Sequence, residues 1–152
     1  MKLDVSLLPI FTDNYVFILK MPDKKAVVVD PGASEPVLSY CEREGLSLEE
    51  IWVTHHHWDH VDGIEVIKSK TNAVVRGGDK RIPCLDIMME SGKFTWNGVD
   101  VEVFPTPGHT LGHVVYYLKE QSKLFVGDTV FAMGVVVFLK VVRSKWLIHL
   151  RK

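Results

Sequence analysis

Six of the seven histidines fall in two short stretches of the 152-residue chain, and one stretch gathers four of them around a carboxylate: T54-H55-H56-H57-W58-D59-H60. An apolar run, Ile51 to Val53, leads straight into it. In an extended segment residues two apart project to the same side. His55 and His57 can therefore face one metal ion while His56 points elsewhere, and Asp59 and His60 open the next turn within reach of a second ion. Imidazole nitrogen with carboxylate oxygen suits zinc, and also iron or manganese, so ligand chemistry alone leaves the metal open. A solvated tag-like histidine run would lie at a terminus and lack the apolar strand before it.

The second stretch is P105-T106-P107-G108-H109-T110-L111-G112-H113, where two prolines and two glycines make a tight loop that holds His109 in place. His113 is an alternative ligand. It reads better as a hydrogen-bonded histidine that orients its neighbours. In F125-V126-G127-D128-T129 an apolar strand ends in Asp128; a turn residue is the ordinary reading of such an Asp, and its case as a ligand rests on the other segments. V27-V28-V29-D30-P31-G32 has the same shape, and there Asp30 is expected to stand behind the ligands and orient one, with a strand-ending turn as the alternative.

These residues must be positioned by short β-rich runs: Leu3 to Leu8, Tyr15 to Lys20, Ala26 to Val29, Ile51 to Val53, Ala73 to Val75, Val99 to Phe104, His113 to Leu118 and Lys123 to Val126. Two helices are predicted among them. One has Ser34 as N-cap, Pro36 in its first turn and Gly45 as its stop; the other runs from about Asp59 to Ser69, with Val61, Ile64 and Ile67 on one face. Gly77-Gly78 and Ser91-Gly92 read as loops. The mixture points to α+β or α/β layering in a single undivided chain.

Composition is 47% hydrophobic and 24% charged with net charge −1, a globular balance with no basic footprint for nucleic acid or an anionic membrane. Cys41 and Cys84 are too few for a disulfide framework or a sulfur-only zinc site; they are expected to be packing residues in a reducing cytoplasm. Asp4, Pro9 and Asp13 interrupt any secretory apolar stretch, so a mature N-terminus is expected. Val135 to Val142, containing Lys140, falls far short of the ~20 apolar residues that span a membrane. A small-molecule partner is expected.

The order of the segments resembles the metallo-β-lactamase superfamily: an Asp after an early strand, H-x-H-x-D-H, a later single His, then an Asp after a strand. T-H-H-H-x-D-H, P-G-H-T-x-G-H and D13-N14-Y15 are more similar to its glyoxalase II branch, the hydroxyacylglutathione hydrolases, than to lactamases or RNA-processing relatives. The likeness covers residues 1 to about 134. It implies an αββα sandwich, mainly its N-terminal half, with a mixed sheet and flanking helices. It further implies that His55, His57 and His109 hold a first metal, that Asp59 and His60 hold a second, and that Asp128 bridges them, with Asp30, His56 and His113 behind. Two zinc ions about 3.5–4 Å apart would then share a hydroxide that attacks the thioester carbonyl of a hydroxyacyl-glutathione such as S-lactoylglutathione, with Asp59 and Asp128 serving catalysis through the ions. By the same resemblance the products would be glutathione and D-lactate, and the implied role methylglyoxal detoxification.

The family adds a further histidine to the second metal and a C-terminal region that helps bind glutathione, neither of which is found before this sequence stops. A weak second site and an incompletely covered, self-associating sheet face are expected. From Val135 the sequence departs from the family's Gly/Cys-rich turn, basic residue and F-E-G. Read one base earlier, the codons of residues 135–142 can spell C-G-R-L-F-E-G-S, which resembles that continuation. The tail 135–152 is therefore read as the product of a one-base frameshift, in the gene or in its sequencing. Competing readings are another thioesterase of this fold, an iron-dependent sulfur-metabolising enzyme, and a catalytically inactive metal-binding fragment.

Overall fold

A computed structural model describes residues 3–12, 14–107 and 111–127. The first two strands form a hairpin, β1 (Asp4–Ile10) and β2 (Asn14–Lys20), antiparallel with Ile10 opposite Asn14. β3 (Lys25–Val29) pairs antiparallel with β2, and from there the sheet becomes parallel through β4 (Ser47–Val53), β5 (Val74–Gly77) and β6 (Ile87–Met88). Helix α1 (Ser34–Glu44) makes the β3-to-β4 crossover, while α2 (Trp58–Val61) and α3 (Ile64–Thr71) make the next. A second sheet, wholly antiparallel, has the order β10-β9-β8-β7, with β7 (Gly92–Trp96), β8 (Val99–Pro105), β9 (Val114–Leu118) and β10 (Lys123–Phe125).

The first sheet is buried on both faces, which explains the unbroken apolar run Ala26 to Val29 in β3. Val16, Ile18, Ala26, Val28, Ile51 and Val53 pack against Val37 of α1 and Ile64 and Ile67 of α3. The alternate residues Leu19, Val27, Val29 and Trp52 pack against Val101, Val103, Tyr116 and Phe125 of the second sheet. Burying each such side chain contributes roughly 1.5–3 kcal/mol. The α+β sandwich expected from the sequence is therefore present. The inward face of the first sheet, expected to be short of cover, is covered by four strands.

Four local expectations need correction, the first being that Gly77, expected in a loop, is the last residue of β5. Ala33, not Ser34, occupies the N-cap of α1, and Ser34 is its first helical residue; Gly45 does end the helix, in the left-handed region at φ 67°. The helix expected from Asp59 to Ser69 is two helices, because the Gly63 N–H turns out to donate to the Pro31 carbonyl at 2.9 Å. Gly92, expected in a loop, opens β7, a strand absent from the sequence-based expectation.

Candidate metal centre

The carboxyl ends of β3, β4 and β5 point to one rim of the sandwich, where parallel strands of open sheets commonly present ligand-binding loops. Asp30 follows β3 with its backbone in the left-handed region at φ 54°, and its N–H donates to Trp52 O at 3.0 Å. Thr54 to His57 link β4 to α2, with Thr54 at a bend and His57 extended at φ −62° and ψ 145°. From the second sheet, Thr106 and His113 flank the β8–β9 loop, and the Val114 N–H donates to Thr54 O at 2.9 Å, sewing that loop to the end of β4.

Four imidazole rings converge there. The His55 ring lies 4.2 Å from that of His60, 4.8 Å from that of His113 and 4.9 Å from that of His57, centroid to centroid. His55, His60, His113 and Asp30 are buried, while His57 and Asp59 are half-buried. Ligand atoms of Asp30, His55 and His60 all lie within 4.8 Å of one another. The outer nitrogen of His60, Nε2, is 3.5 Å from Asp59 Oδ2. Buried imidazoles beside carboxylates form a donor set that fits a divalent cation.

Hydrogen bonds fix which nitrogen each ring presents. A carboxylate only accepts. Asp30 Oδ1 accepts from the Thr54 N–H at 2.7 Å, and Oδ2 accepts from Thr54 Oγ1–H at 2.7 Å and from His60 Nδ1–H at 3.0 Å. With the Thr54 hydroxyl proton directed to Asp30, Thr54 Oγ1 must accept from His55 Nδ1–H, 2.9 Å away. Both rings therefore turn Nε2 away from Asp30. Burial alone would push the Asp30 carboxyl upward, but His60 by charge and hydrogen bond, with His55 and Thr54, holds it below the usual carboxylate range. His113 is held likewise, with Nδ1 2.9 Å from Thr106 Oγ1.

His56, expected to point away from its neighbours' target, has Nδ1 3.5 Å from Asp79 Oδ2. His109, Asp128, Asp13 and the tail 135–152 lie outside the described residues. Gly127, just before Asp128, approaches so closely that a Cβ there would stand 2.4 Å from Thr54 Oγ1 and 2.9 Å from His113 Nε2. Thr54, Thr106, Asn14 and Asp79 have site roles that sequence reasoning missed. Each partners residues outside its own motif or holds a ring through a hydroxyl, and a lone Thr or Asn carries no spacing signal. Cys41 packs as expected, its thiol pushed up to about 11 by burial, but Cys84 is exposed and is not a packing residue.

This rim and sandwich agree with known proteins. The chain matches the model of the metallo-beta-lactamase superfamily over residues 10–84 and 89–149, and it belongs to that superfamily. It is 43% identical over 136 residues to the hydroxyacylglutathione hydrolase of Pseudomonas fluorescens (strain SBW25), covering 87% of this chain and 52% of that protein. To the hydroxyacylglutathione hydrolase of Pseudomonas entomophila (strain L48) it is 44% identical over 138 residues, covering 87% and 53%. Among solved structures, the crystal structure of BLEG-1 B3 metallo-beta-lactamase aligns with a TM-score of 0.75 at 25% identity, covering 82% of this chain and 72% of that one. The chain spans about half the length of the curated relatives it matches.

Proposed function

We propose that the chain is a metal-dependent hydrolase of glutathione thioesters, turning S-lactoylglutathione into glutathione and D-lactate in methylglyoxal detoxification. The observation that carries this is the Asp30–Thr54–His55 relay with His60, which turns Nε2 of two buried rings toward a rim shared with His57 and Asp59. The likeness in sequence to hydroxyacylglutathione hydrolases supports the substrate class. His55, His57 and His109 would hold one ion and Asp59 and His60 another, with Asp128 as a further carboxylate ligand; zinc is the proposed metal, with iron or manganese compatible with the same donors. Bound there, the ions supply Lewis acidity and make water ionisable near neutral pH.

The chain's own residues do the rest. Asp30 and His113 stand behind the ligands, Asp30 by fixing the proton positions on Thr54 and His60. Burial keeps bulk water from His55 and His60, which strengthens their pull on a cation. A thiol leaving group, with pKa ~8.5, needs no strong acid to depart. The cytoplasm is the proposed setting.

The test is to count bound metals and assay S-lactoylglutathione hydrolysis with the full chain. Turnover that disappears with chelation and returns with zinc supports the reading. Metal uptake without turnover would instead identify a metal-binding domain lacking a substrate-binding part, in keeping with its half-length match. We propose further that residues 1–134 form the domain proper and that 135–152 arise by frameshift; nucleotide codons incompatible with the shifted reading would end that idea.

A further inference from the structure

Asn14 opens β2 at the tip of the first hairpin and is only 6% exposed. Its side-chain amide donates to Asp59 Oδ2 at 2.9 Å, and the same nitrogen lies 3.4 Å from the Asp59 backbone carbonyl. Because a carboxylate offers no proton, the amide must present its NH2 group. The Asp59 main chain also rests against Gly32, where a Cβ would meet Asp59 O at 2.0 Å. The hairpin thus places a donor against one oxygen of the carboxylate. That oxygen also faces His60 Nε2 at 3.5 Å.

Trp58 turns outward, 60% exposed, against Phe11 of the same hairpin, with ring centroids 5.2 Å apart. Phe11 itself sits at φ 53°, a left-handed conformation that is costly for a residue with a Cβ and bulk beyond it. The next strand, β2, begins with Asn14.

We propose that Asn14 is a positioning residue of the metal centre: its amide fixes the rotation of the Asp59 carboxylate by holding Oδ2, the oxygen that faces His60 Nε2, and it acts on metal affinity through Asp59 alone. This rests on the reading of Asp59 as a ligand. Partners that orient a ligand typically change metal affinity about 10–100-fold when removed.

The experiment is a double-mutant cycle read by cobalt titration, following the visible absorption of the bound ion, in the full chain with Asn14→Leu, Asp59→Ala and the pair; Asn14→Ala replaces Asn14→Leu if the larger side chain prevents folding, as judged by circular dichroism. The proposal expects Asn14→Leu to weaken the affected cobalt site about 10-fold or more, and to add nothing once Asp59 is alanine. Equal weakening by Asn14→Leu in both backgrounds would overturn it, assigning Asn14 a merely structural role, as would no weakening in either. If Asp59→Ala itself leaves cobalt affinity unchanged, the ligand reading of Asp59 fails and this inference with it; if Asp59→Ala weakens binding and Asn14→Leu does not, only the inference fails.

Discussion

Asp30 offers its two carboxylate oxygens to three donors, Thr54 N, Thr54 Oγ1 and His60 Nδ1, in a buried setting. Asp30→Ala leaves all three unsatisfied. It should destabilise the fold by roughly 2–4 kcal/mol, measured by urea unfolding of metal-free protein, and should also lower metal affinity by about 10-fold or more. Asp79 makes a different prediction. Its hydrogen bonds from the Arg81 side chain hold its carboxyl down at about 2, against 3.8 ordinarily. The native carboxyl is the stronger acid, so its contribution is full above about pH 4 and is lost as pH falls toward about 2. The stability gap between the parent protein and Asp79→Asn, measured by thermal unfolding of metal-free protein, should therefore shrink between pH 6 and pH 2.5. At this scale the sequence was informative where residues of one site lie together, as in 55–60, because alternation along an extended chain and the type of side chain are both local. It gave no role to Asp79, nor to Asn14 beyond its place in D13-N14-Y15, because their partners His56 and Asp59 lie 23 and 45 positions away.

Among the elements, the break between α2 and α3 is set by tertiary contact, not by helix propensity. A Cβ on Gly63 would stand 2.6 Å from Pro31 O and 2.7 Å from the Ala33 carbonyl carbon, both backbone atoms that cannot rotate aside. Gly63→Ala should cost about 1–3 kcal/mol by overpacking and push α2, which carries Asp59 and His60, away from the loop after β3. Thermal unfolding and cobalt affinity of the variant, both lowered, would show it. The apolar periodicity of Val61, Ile64 and Ile67 ran through this break because all three do face the first sheet from α2 and α3. β7 escaped notice for the opposite reason: only Phe94 and Trp96 of its five residues face inward, and it opens on a glycine that reads as a turn. The part of β3 buried on both faces was plain because Ala26 to Val29 are all apolar.

For the whole molecule, the joint between the sheets is the decisive contact. Trp52 and Tyr116, both fully buried, stack across it with centroids 5.6 Å apart. The Tyr116 hydroxyl donates to Val53 O at 2.8 Å, just before the histidine stretch, and lies 3.2 Å from Arg76 O. Tyr116→Phe should cost about 1–3 kcal/mol. At about 2–4 °C per kcal/mol for a chain of this size, the melting temperature should fall by roughly 2–12 °C. Urea unfolding with an unchanged m-value would confirm that the joint was weakened, not lost. That the chain is a layered α+β structure was legible from its β-rich runs and two helical segments; that a second sheet covers the first was not, because β7 and its pairing with β8 were hidden.

Strand direction also divides the sandwich into a working end and an idle one. The turns at 21–24, 97–98 and 119–122 all lie at the end opposite the histidines, and Lys24, Asn97 and Ser122 there adopt left-handed backbone suited to tight reversals. Nothing in the chemistry proposed above reaches them. A flexible peptide or a small reporter domain spliced into one of these turns should therefore be carried without loss of cobalt uptake, which makes that end the natural handle for immobilising or labelling the protein.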